Sequence, residues 1–348
     1  MANTIQHKRG TAADWMSADP TLAAGQVGVE TDTGKFKFGD GSTAWSSLAY
    51  FEPAAAAAAW AFQGENYGYT SGGVLDRGNV IDKFPFAADA NATDVADLTV
   101  AVYGAAGQSS SESGYLSGGS APSYTNTIQK FPFSTDSNST DVGDLLTVGG
   151  YGSGQSSSEN GYQSGGAGTP TSKNVIQKFP FATDANSTNV GTLTGDRAPY
   201  GGGQSSSENG YVVDGSSNSI EKFPFATDAN ATFVGTITSI SGATGACQSS
   251  NTHGYTSGLR YSNGSYVWLD SIFKNSFTSD ANATDIANLT QARNWGAGQS
   301  SVSSGYTSGG LAPPYSNVID KFPFSSDTNA TDVGDLTIAS SLVAGQQY

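Results

Sequence analysis

The sequence feature that most constrains the fold is a segment that returns six times, built on Lys-Phe-Pro-Phe and a following Asp-x-Asn-x-Thr stretch. Its lysine is found at Lys83, Lys130, Lys178, Lys222, Lys274 and Lys321. The successive spacings are 47, 48, 44, 52 and 47 residues. A repeat of this regularity predicts that each copy forms one structural unit and buries its apolar face against the next copy.

Each repeat contains four candidate strands, which in chain order carry Gly-Gln-Ser-Ser, Gly-Tyr-x-Ser-Gly-Gly, Asn-x-Ile-x-Lys-Phe-Pro-Phe and Asp-Val-Gly-Asp-Leu-Thr. A strand-rich period of about 40 to 50 residues is the length of one four-stranded propeller blade. The double glycine after the second strand resembles the kelch class of propeller, although the tryptophan usual in the fourth strand is missing. The predicted fold is all-β: a small N-terminal β module with a short helix, then a kelch-like β-propeller of about six blades.

Closing such a ring requires a first strand for the first blade. The C-terminal segment 343–347 contains Ala-Gly-Gln and so matches residues 106–108 of another repeat. Phe62-Gln63-Gly64 is the alternative candidate. We expect the C-terminal segment to pair with the strand that begins at Tyr69, so that the two ends of the domain close the ring.

Residues 1–51 contain no copy of the repeat and are predicted to form a separate module. Residues 5–15 indicate a strand and then a helix capped by Thr11. Residues 28–38 alternate apolar and polar side chains around Thr33-Gly34, which is typical of a β-hairpin. Residues 52–60, with one proline and six consecutive alanines, predict a short helical linker. Residues 61–348 remain for the propeller.

The N-terminal module resembles the small N-terminal module of bacteriophage tail-fibre and tropism-determinant proteins. The similarity runs through residues 5–15, 22–28 and 30–41 and ends at Trp45. The resemblance implies a module that attaches to other virion proteins and forms a homotrimer. It therefore implies a virion location at a tail fibre or baseplate, with the capsid surface as the alternative.

Charge and composition narrow the classes of partner. The net charge is −15 and only 15 residues are lysine or arginine, so contacts to a phosphate backbone are disfavoured and no nucleic acid is expected. No run of about 18 apolar residues is present, so no membrane insertion is expected. The single cysteine, Cys247, excludes an intrachain disulfide and is predicted to be a buried, unreactive thiol.

The chain contains no recognisable catalytic or cofactor motif. Two histidines, His7 and His253, are too few for a copper-oxidase centre that needs two in the propeller. Four arginines in the propeller, spread over several repeats, do not form an evident sialidase-type cluster. We therefore expect a protein that is not an enzyme and that binds no cofactor.

Two repeated polar features are predicted to be architectural. The six Asn-x-Thr triplets fit the N-glycosylation pattern, but their regular placement favours Asx turns between the third and fourth strands. Calcium is the alternative, because Asp89, Asn91 and Asp94 are oxygen donors, although the glycine and glutamate of a helix-loop-helix calcium site are missing. The six repeated lysines are expected to form ion pairs between blades or to cover them with their aliphatic stems.

Antiparallel strand order divides the loops between two rims of the propeller. Turns from the first to the second strand and from the third to the fourth form a rim of nearly constant sequence, here called the constant rim. The remaining loops form the variable rim, which is rich in aromatic residues. Aromatic faces stack on sugar rings or anchor protein partners. The residues predicted to contact a receptor are Arg260, Tyr261, Tyr266, Trp268, Arg197, Tyr200, Arg293, Trp295, Tyr124 and Tyr315.

The densest predicted group lies in the long loop of the fifth blade, between Gly258 and Ile272. Packing of its aromatic residues over a wide gap between blades is the alternative role. Together these features predict a phage receptor-binding or fibre protein whose propeller adheres to host-surface polysaccharide or lipopolysaccharide. The alternative is a capsid-anchored head fibre or decoration protein with a weak adhesive or protective role.

Overall fold

The computed structural model describes residues 7–51, 62–168, 173–195, 202–215, 217–237, 242–243, 245–262 and 264–348. The chain divides into two compact units, Met1–Ala59 and Trp60–Tyr348. The predicted linker 52–60 lies outside the described residues, as do Arg197 and Tyr200.

The N-terminal unit contains a three-stranded sheet, one α-helix and one 3-10 helix. The strands are Lys8–Gly10, Val27–Glu30 and Phe36–Phe38, the α-helix is Ala12–Ala18, and the 3-10 helix is Trp45–Ser47. The first strand lies parallel to the second, and the second and third form the predicted hairpin. Thr11 caps the helix as predicted, since its hydroxyl accepts a hydrogen bond from the Asp14 amide and its own amide donates to the Asp14 carboxylate.

The core of this unit is a pair of stacked tryptophans. The rings of Trp15 and Trp45 lie 4.2 Å apart, and Leu22 is fully buried against them. A Cβ at Gly28 would lie 2.5 Å from the Trp45 ring, so only glycine leaves room for the stack.

The second unit consists of six four-stranded antiparallel blades, with strands labelled a to d from the axis outward. The a strands of blades 1 to 6 are Ala344–Gln347, Ala106–Ser109, Ser153–Ser156, Gly202–Ser205, Ala246–Ser249 and Ala297–Ser300. The b strands are Tyr67–Ser71, Ser113–Ser117, Asn160–Ser164, Asn209–Val213, His253–Ser262 and Ser304–Ser308. The c strands are Val80–Pro85, Thr127–Pro132, Val175–Pro180, Ser219–Pro224, Tyr266–Ser276 and Val318–Pro323. The d strands are Thr93–Asp97, Thr140–Asp144, Thr188–Thr192, Thr232–Thr236, Thr284–Asn288 and Thr331–Asp335.

Shorter elements lie in the loops of the variable rim. They are the two-residue strands Gly149–Gly150, Ala167–Gly168 and Gly242–Ala243, and the 3-10 turn Leu75–Arg77. Among the described residues no helix has the length and apolar character that crossing a membrane requires.

The C-terminal strand closes the ring. Strand Ala344–Gln347 pairs antiparallel with Tyr67–Ser71, with Gln346 opposite Tyr69, as the sequence predicted. Residues 62–64, the alternative candidate for the closing strand, lie at the propeller axis on the constant rim instead. There the Gln63 side chain donates to the Ser249 carbonyl, and the Gly64 amide donates to the Ser300 carbonyl, each at 2.8 Å.

In five of the six blades the residue at the centre of the a strand is glycine, because neighbouring a strands approach too closely for a side chain there, and blade 5 has Cys247 instead. A Cβ on Gly154 would lie 2.2 Å from the carbonyl oxygen of Gly107, and one on Gly345 would lie 2.1 Å from that of Gly298. The following residue is glutamine in every blade. Its side-chain nitrogen donates to the main-chain carbonyl of the strand-b tyrosine in the next blade, at 2.8 to 3.1 Å.

Each strand-b tyrosine also packs against the next blade. Its ring stacks on the second phenylalanine of the neighbouring Phe-Pro-Phe segment, or on Phe277 where blade 5 lacks the proline, with centroids 4.5 to 4.9 Å apart. These six tyrosines are at most 2% exposed. Stacked, buried aromatic pairs of this kind therefore form the core between all six blades.

The repeated lysines form the predicted ion pairs between blades. Each lysine nitrogen lies 2.6 to 3.1 Å from an aspartate of the next blade, and Lys321 of blade 6 pairs with Asp89 of blade 1. The prediction for the Asn-x-Thr triplets was wrong about the hydrogen-bond partner. Their asparagine oxygens accept from a d-strand amide of the preceding blade, at 3.0 to 3.1 Å, because the c–d turn reaches across the interface.

Two of the three oxygen donors considered for calcium, Asp89 and Asn91, are engaged in these contacts. Asp89 pairs with Lys321, and Asn91 accepts from the Asp335 amide. No cluster of three or more histidine, cysteine, aspartate or glutamate side chains able to hold a metal occurs within the described part of the chain.

Candidate functional site

The variable rim is the end of the propeller opposite residues 62–64, where the described part of the second unit begins. Phe62, Gln63 and Gly64 lie at the axis on the constant rim, where the a strands end. The b–c and d–a loops form the other end. The most developed element there belongs to blade 5.

Blade 5 extends two of its strands into a hairpin above the rim. Strands b and c have 10 and 11 residues, against five and six in the other blades. The register continues through Arg260 opposite Trp268 and Ser262 opposite Tyr266. The sequence predicted a long loop here. Asn-Gly at positions 263 and 264, between two segments rich in aromatic and aliphatic residues, is the hairpin signal that the prediction missed.

The hairpin has two different faces, because alternate residues of a strand point to opposite sides. Leu259 packs in the core with Tyr211 and Val213 of blade 4, and Tyr261 is paired with Val267. Arg260, Trp268 and Tyr266 share the opposite face, which is directed toward blade 6.

Arg260 lies between two aromatic rings on that face. Its guanidinium carbon is 4.2 Å from the centroid of Tyr266 and 4.4 Å from that of Trp295. Trp295 belongs to the d–a loop before blade 6 and has a left-handed backbone, with φ 58°. Contacts at these distances hold the guanidinium by cation–π attraction to both rings.

Several N–H donors of this cluster are shielded from solvent and lack acceptors. They are Nε of Arg260 and the indole nitrogens of Trp268 and Trp295, none of which has a partner among the described residues. Buried polar groups are normally paired, so these N–H groups are places where a solvent molecule or a ligand atom can bind.

A groove separates the hairpin from blade 6, and we call it the blade 5/6 groove. It has a volume of about 440 Å³ and is lined by Tyr266, Val267 and Trp268 on one side and by Ala292, Ala312 and Pro313 on the other. Tyr266 is 60% exposed at its mouth. The three small or apolar residues of blade 6 were not predicted, since they carry no polar group and no ring that would indicate binding.

A second groove of the same construction lies between blades 1 and 2, and we call it the blade 1/2 groove. Its volume is about 610 Å³, and Ala121 and Pro122 occupy the place that Ala312 and Pro313 hold in the other groove. Val74 and Leu75 stand where blade 5 has its hairpin. No charged residue lines the described part of this groove.

Arg293 is not part of the exposed surface, so its prediction as a receptor contact was wrong. It is 1% exposed, and its guanidinium donates to Asp320 at 3.0 Å and to the Thr307 carbonyl at 2.9 Å. Burial lowers the pKa of Arg293, and the Asp320 carboxylate opposes that shift. Arg293 therefore braces the loop that carries Trp295.

The remaining predicted residues are dispersed. Tyr124 and Tyr315 occupy equivalent positions in the b–c loops of blades 2 and 6, and Tyr124 meets Tyr151 edge-on with centroids 6.3 Å apart. Tyr261 lies on the other face of the hairpin. The structure thus brings together Arg260, Tyr266, Trp268 and Trp295 and leaves Tyr124, Tyr261 and Tyr315 outside that cluster.

Residues 62–348 therefore form a six-bladed β-propeller that carries, on its variable rim, an aromatic groove with an arginine stacked on one of its lining rings. Among solved structures, the chain is similar to the one titled "Structure of YjhT", also a β-propeller. The TM-score is 0.58 at 11% identity, over 79% of this chain and 99% of that one. At this identity the similarity shows the fold alone. The kelch likeness of the repeats stays a prediction.

The N-terminal module matches phage proteins. Residues 5–43 match the family described as "Major tropism determinant N-terminal domain". The chain is 48% identical over 46 residues to a hyaluronoglucosaminidase of Streptococcus pyogenes phage H4489A, covering 13% of this chain and 12% of that protein. It is 43% identical over 49 residues to a hyaluronoglucosaminidase of Streptococcus pyogenes phage H10403, covering 14% of each.

The chain spans about an eighth of the length of these relatives. The matches confirm the predicted resemblance of the N-terminal module and support a virion-associated location. They contradict the expectation that the protein is not an enzyme, because both relatives are named for an enzymatic activity on a glycan. That expectation depended on the lack of familiar catalytic motifs, and such a lack does not exclude a catalytic arrangement of another kind.

Proposed function

We propose that this protein is a phage adhesion protein, attached to the virion through residues 1–51, whose propeller binds a host-surface polysaccharide or lipopolysaccharide at the variable rim. The observation that carries the proposal is the blade 5/6 groove. It is lined by an exposed tyrosine and an indole, and the Arg260 guanidinium is stacked on the ring of that tyrosine. Sugar-binding sites commonly use this combination, since rings pack on the apolar sugar face and N–H groups bind hydroxyls.

Two further observations support the variable rim as the binding end. The constant rim repeats the same turns in every blade and is occupied at its centre by Gln63 and Gly64. The variable rim differs between blades, and among the described residues blade 5 alone has the hairpin that builds the groove. A surface that differs between otherwise identical units is suited to one specific contact.

Adsorption to host cells tests the proposal. Trp268→Ala together with Tyr266→Ala should abolish most adsorption of purified protein to cells of the bacterial host, while the melting temperature stays within a few degrees of wild type. Phe233→Ala is the matched control, because Phe233 is 58% exposed, against 60% for Tyr266, but lies on the outer strand of blade 4. A double variant that melts lower yet adsorbs normally would assign these rings to packing.

The proposed location is a tail fibre or baseplate, and the proposed assembly is a homotrimer formed by the N-terminal module. Both rest on the tropism-determinant match at residues 5–43. The second placement is the capsid surface, as a head fibre or decoration protein. Immunogold labelling of virions with antibody against residues 62–348 separates the two, since gold at the tail tip supports the first and gold over the head supports the second.

Glycan cleavage is a second candidate function, favoured by the two relatives named hyaluronoglucosaminidase. Incubating the protein with polysaccharide from host cells, and following chain length by size-exclusion chromatography, tests it. Shortened chains with new reducing ends would support cleavage, and unchanged chains after retained binding would support adhesion alone.

A further inference from the structure

We infer that the ligand of the blade 5/6 groove is an anionic glycan, and that Arg260 binds its acidic group, a carboxylate or a phosphodiester. This inference rests on the proposed function and adds the chemical class of the ligand.

The surroundings of Arg260 leave one edge of its guanidinium group open to a ligand. Tyr266 and Trp295 lie at 4.2 and 4.4 Å from the guanidinium carbon, so both faces of the plane are covered. Its Nε is shielded as well. The terminal N–H groups at the outer edge are what remains for a ligand, and this planar fork matches the paired oxygens of a carboxylate or phosphate.

The described part of the chain does not neutralise this arginine itself. Arg293 has Asp320 at 3.0 Å, and the repeated lysines are all held by aspartates. Arg260 instead has aromatic partners and no described carboxylate within ion-pair distance. In a chain of net charge −15, a guanidinium kept free of carboxylates by two rings is arranged to receive an external anion.

The indole nitrogens of Trp268 and Trp295, the two tryptophans beside Arg260, are further N–H donors without an acceptor among the described residues. A ligand rich in acceptor oxygens satisfies such a set, whereas one that mainly donates does not. Arg260 lies beside the blade 5/6 groove, because its guanidinium is stacked on the Tyr266 ring that lines this groove.

A glycan array carrying neutral, carboxylated and phosphorylated glycans tests the inference with wild-type protein, Arg260→Gln, Arg260→Lys and the Phe233→Ala control. We expect wild type to bind anionic glycans only. Arg260→Gln should bind roughly 10- to 100-fold more weakly with an unchanged melting temperature. Arg260→Lys should recover part of the loss, because it keeps the charge without the planar fork.

Chemical modification of the glycan that binds most tightly gives a second test, which needs no protein variant. Reduction of its carboxyl groups to alcohols, or removal of its phosphate groups, should abolish binding by the wild-type protein. The treatment that abolishes binding identifies the acidic group that the protein recognises. Binding of neutral glycans that is lost in the Trp268→Ala, Tyr266→Ala variant would overturn this inference and leave the adhesion function standing. Wild-type affinity in a folded Arg260→Gln would overturn it too. Lack of binding to every glycan and to host cells would overturn the proposed function with it.

Discussion

The side-chain nitrogen of Gln299 donates to the main-chain carbonyl of Tyr69 at 2.9 Å, although the two residues are 230 positions apart in the chain. It is one of six identical contacts, and it joins the last blade to the first. Closure of the ring therefore uses the same glutamine that connects every other pair of blades, in addition to the C-terminal strand.

Replacing this glutamine should measure its joint contribution through the Tyr69 carbonyl and the hydroxyls of Thr70 and Ser308, to which it also donates. Gln299→Leu leaves the buried Tyr69 carbonyl without that donor, so we expect the free energy of unfolding to fall by about 1 to 3 kcal/mol. Urea denaturation gives the value. Val302→Ala, at a 62% exposed residue just after the same strand, is the control and should leave the midpoint unchanged. An equal effect of both changes would contradict the role of Gln299.

The buried pair Arg293 and Asp320 should behave as a unit. Arg293→Val leaves the fully buried Asp320 carboxylate without its cation, and we expect a loss of about 3 to 5 kcal/mol. The junction of blades 1 and 2 has Val102 and Gln129 at the equivalent positions, and there the glutamine bonds both to the amide and to the carbonyl of Val100. Arg293→Val with Asp320→Gln should therefore recover most of the loss. A double variant as unstable as the single one would show that the pair is not the cause.

The lysine–aspartate pairs at the constant rim should contribute much less per pair. The Lys222 and Asp280 side chains are 26% and 56% exposed, and ion pairs this accessible are usually worth under about 1 kcal/mol. Lys222→Met should shift the urea midpoint only slightly, and 1 M salt should remove even that difference. A larger, salt-independent loss would mean that the lysine stem, and not its charge, stabilises the blade.

The core tyrosines predict loss of stability at high pH. Burial raises the pKa of Tyr162 and Tyr211 to about 12, and it also raises the pKa of the equivalent tyrosines in the other four blades. Because the folded pKa exceeds the ordinary value near 10, this stability is fully present below about pH 10 and is lost as the pH approaches about 12. Urea midpoints between pH 8 and 12 should fall above pH 10. Absorbance at 295 nm should show tyrosine ionisation accompanying the unfolding, and ionisation without unfolding would count against the buried ring of tyrosines.

Removing residues 1–51 tests the proposed assembly. The propeller is a compact unit of its own, so the shortened protein should keep its melting transition. It should sediment as a monomer, whereas the full chain should sediment as a trimer. A trimeric truncated protein would assign the contacts between copies to the propeller.

Repetition made the fold predictable. Six copies of one segment determined the blade number and the strand order, and the match of residues 343–347 to residues 106–108 indicated the closing strand. Contacts between blades were harder to predict, because the partner of a repeated residue lies one period away. The asparagines of the Asn-x-Thr triplets look like local turn residues, yet each accepts from the preceding blade.

The candidate site was predicted in composition and not in geometry. Arg260, Tyr266, Trp268 and Trp295 were all named, but their contact depends on a hairpin that leans toward blade 6. From the sequence alone, Arg293 is as good a candidate for a binding residue as Arg260, since both are arginines in variable-rim segments. Only the position of Asp320 on the next blade decides that one arginine is internal and the other is available. Arg197 and Tyr200 stay predictions, since they lie outside the described residues.

The segment at the axis determines how the propeller bears a mechanical load. A pull on the chain at Phe62 is shared at once by three blades, because the Gln347 side chain holds the Phe62 carbonyl, Gln63 holds Ser249 and Gly64 holds Ser300. These residues belong to blades 1, 5 and 6, and the ring of glutamine contacts passes the tension on to the others. Such a load would thus enter the hub through three neighbouring blades and would not peel one blade away from its edge.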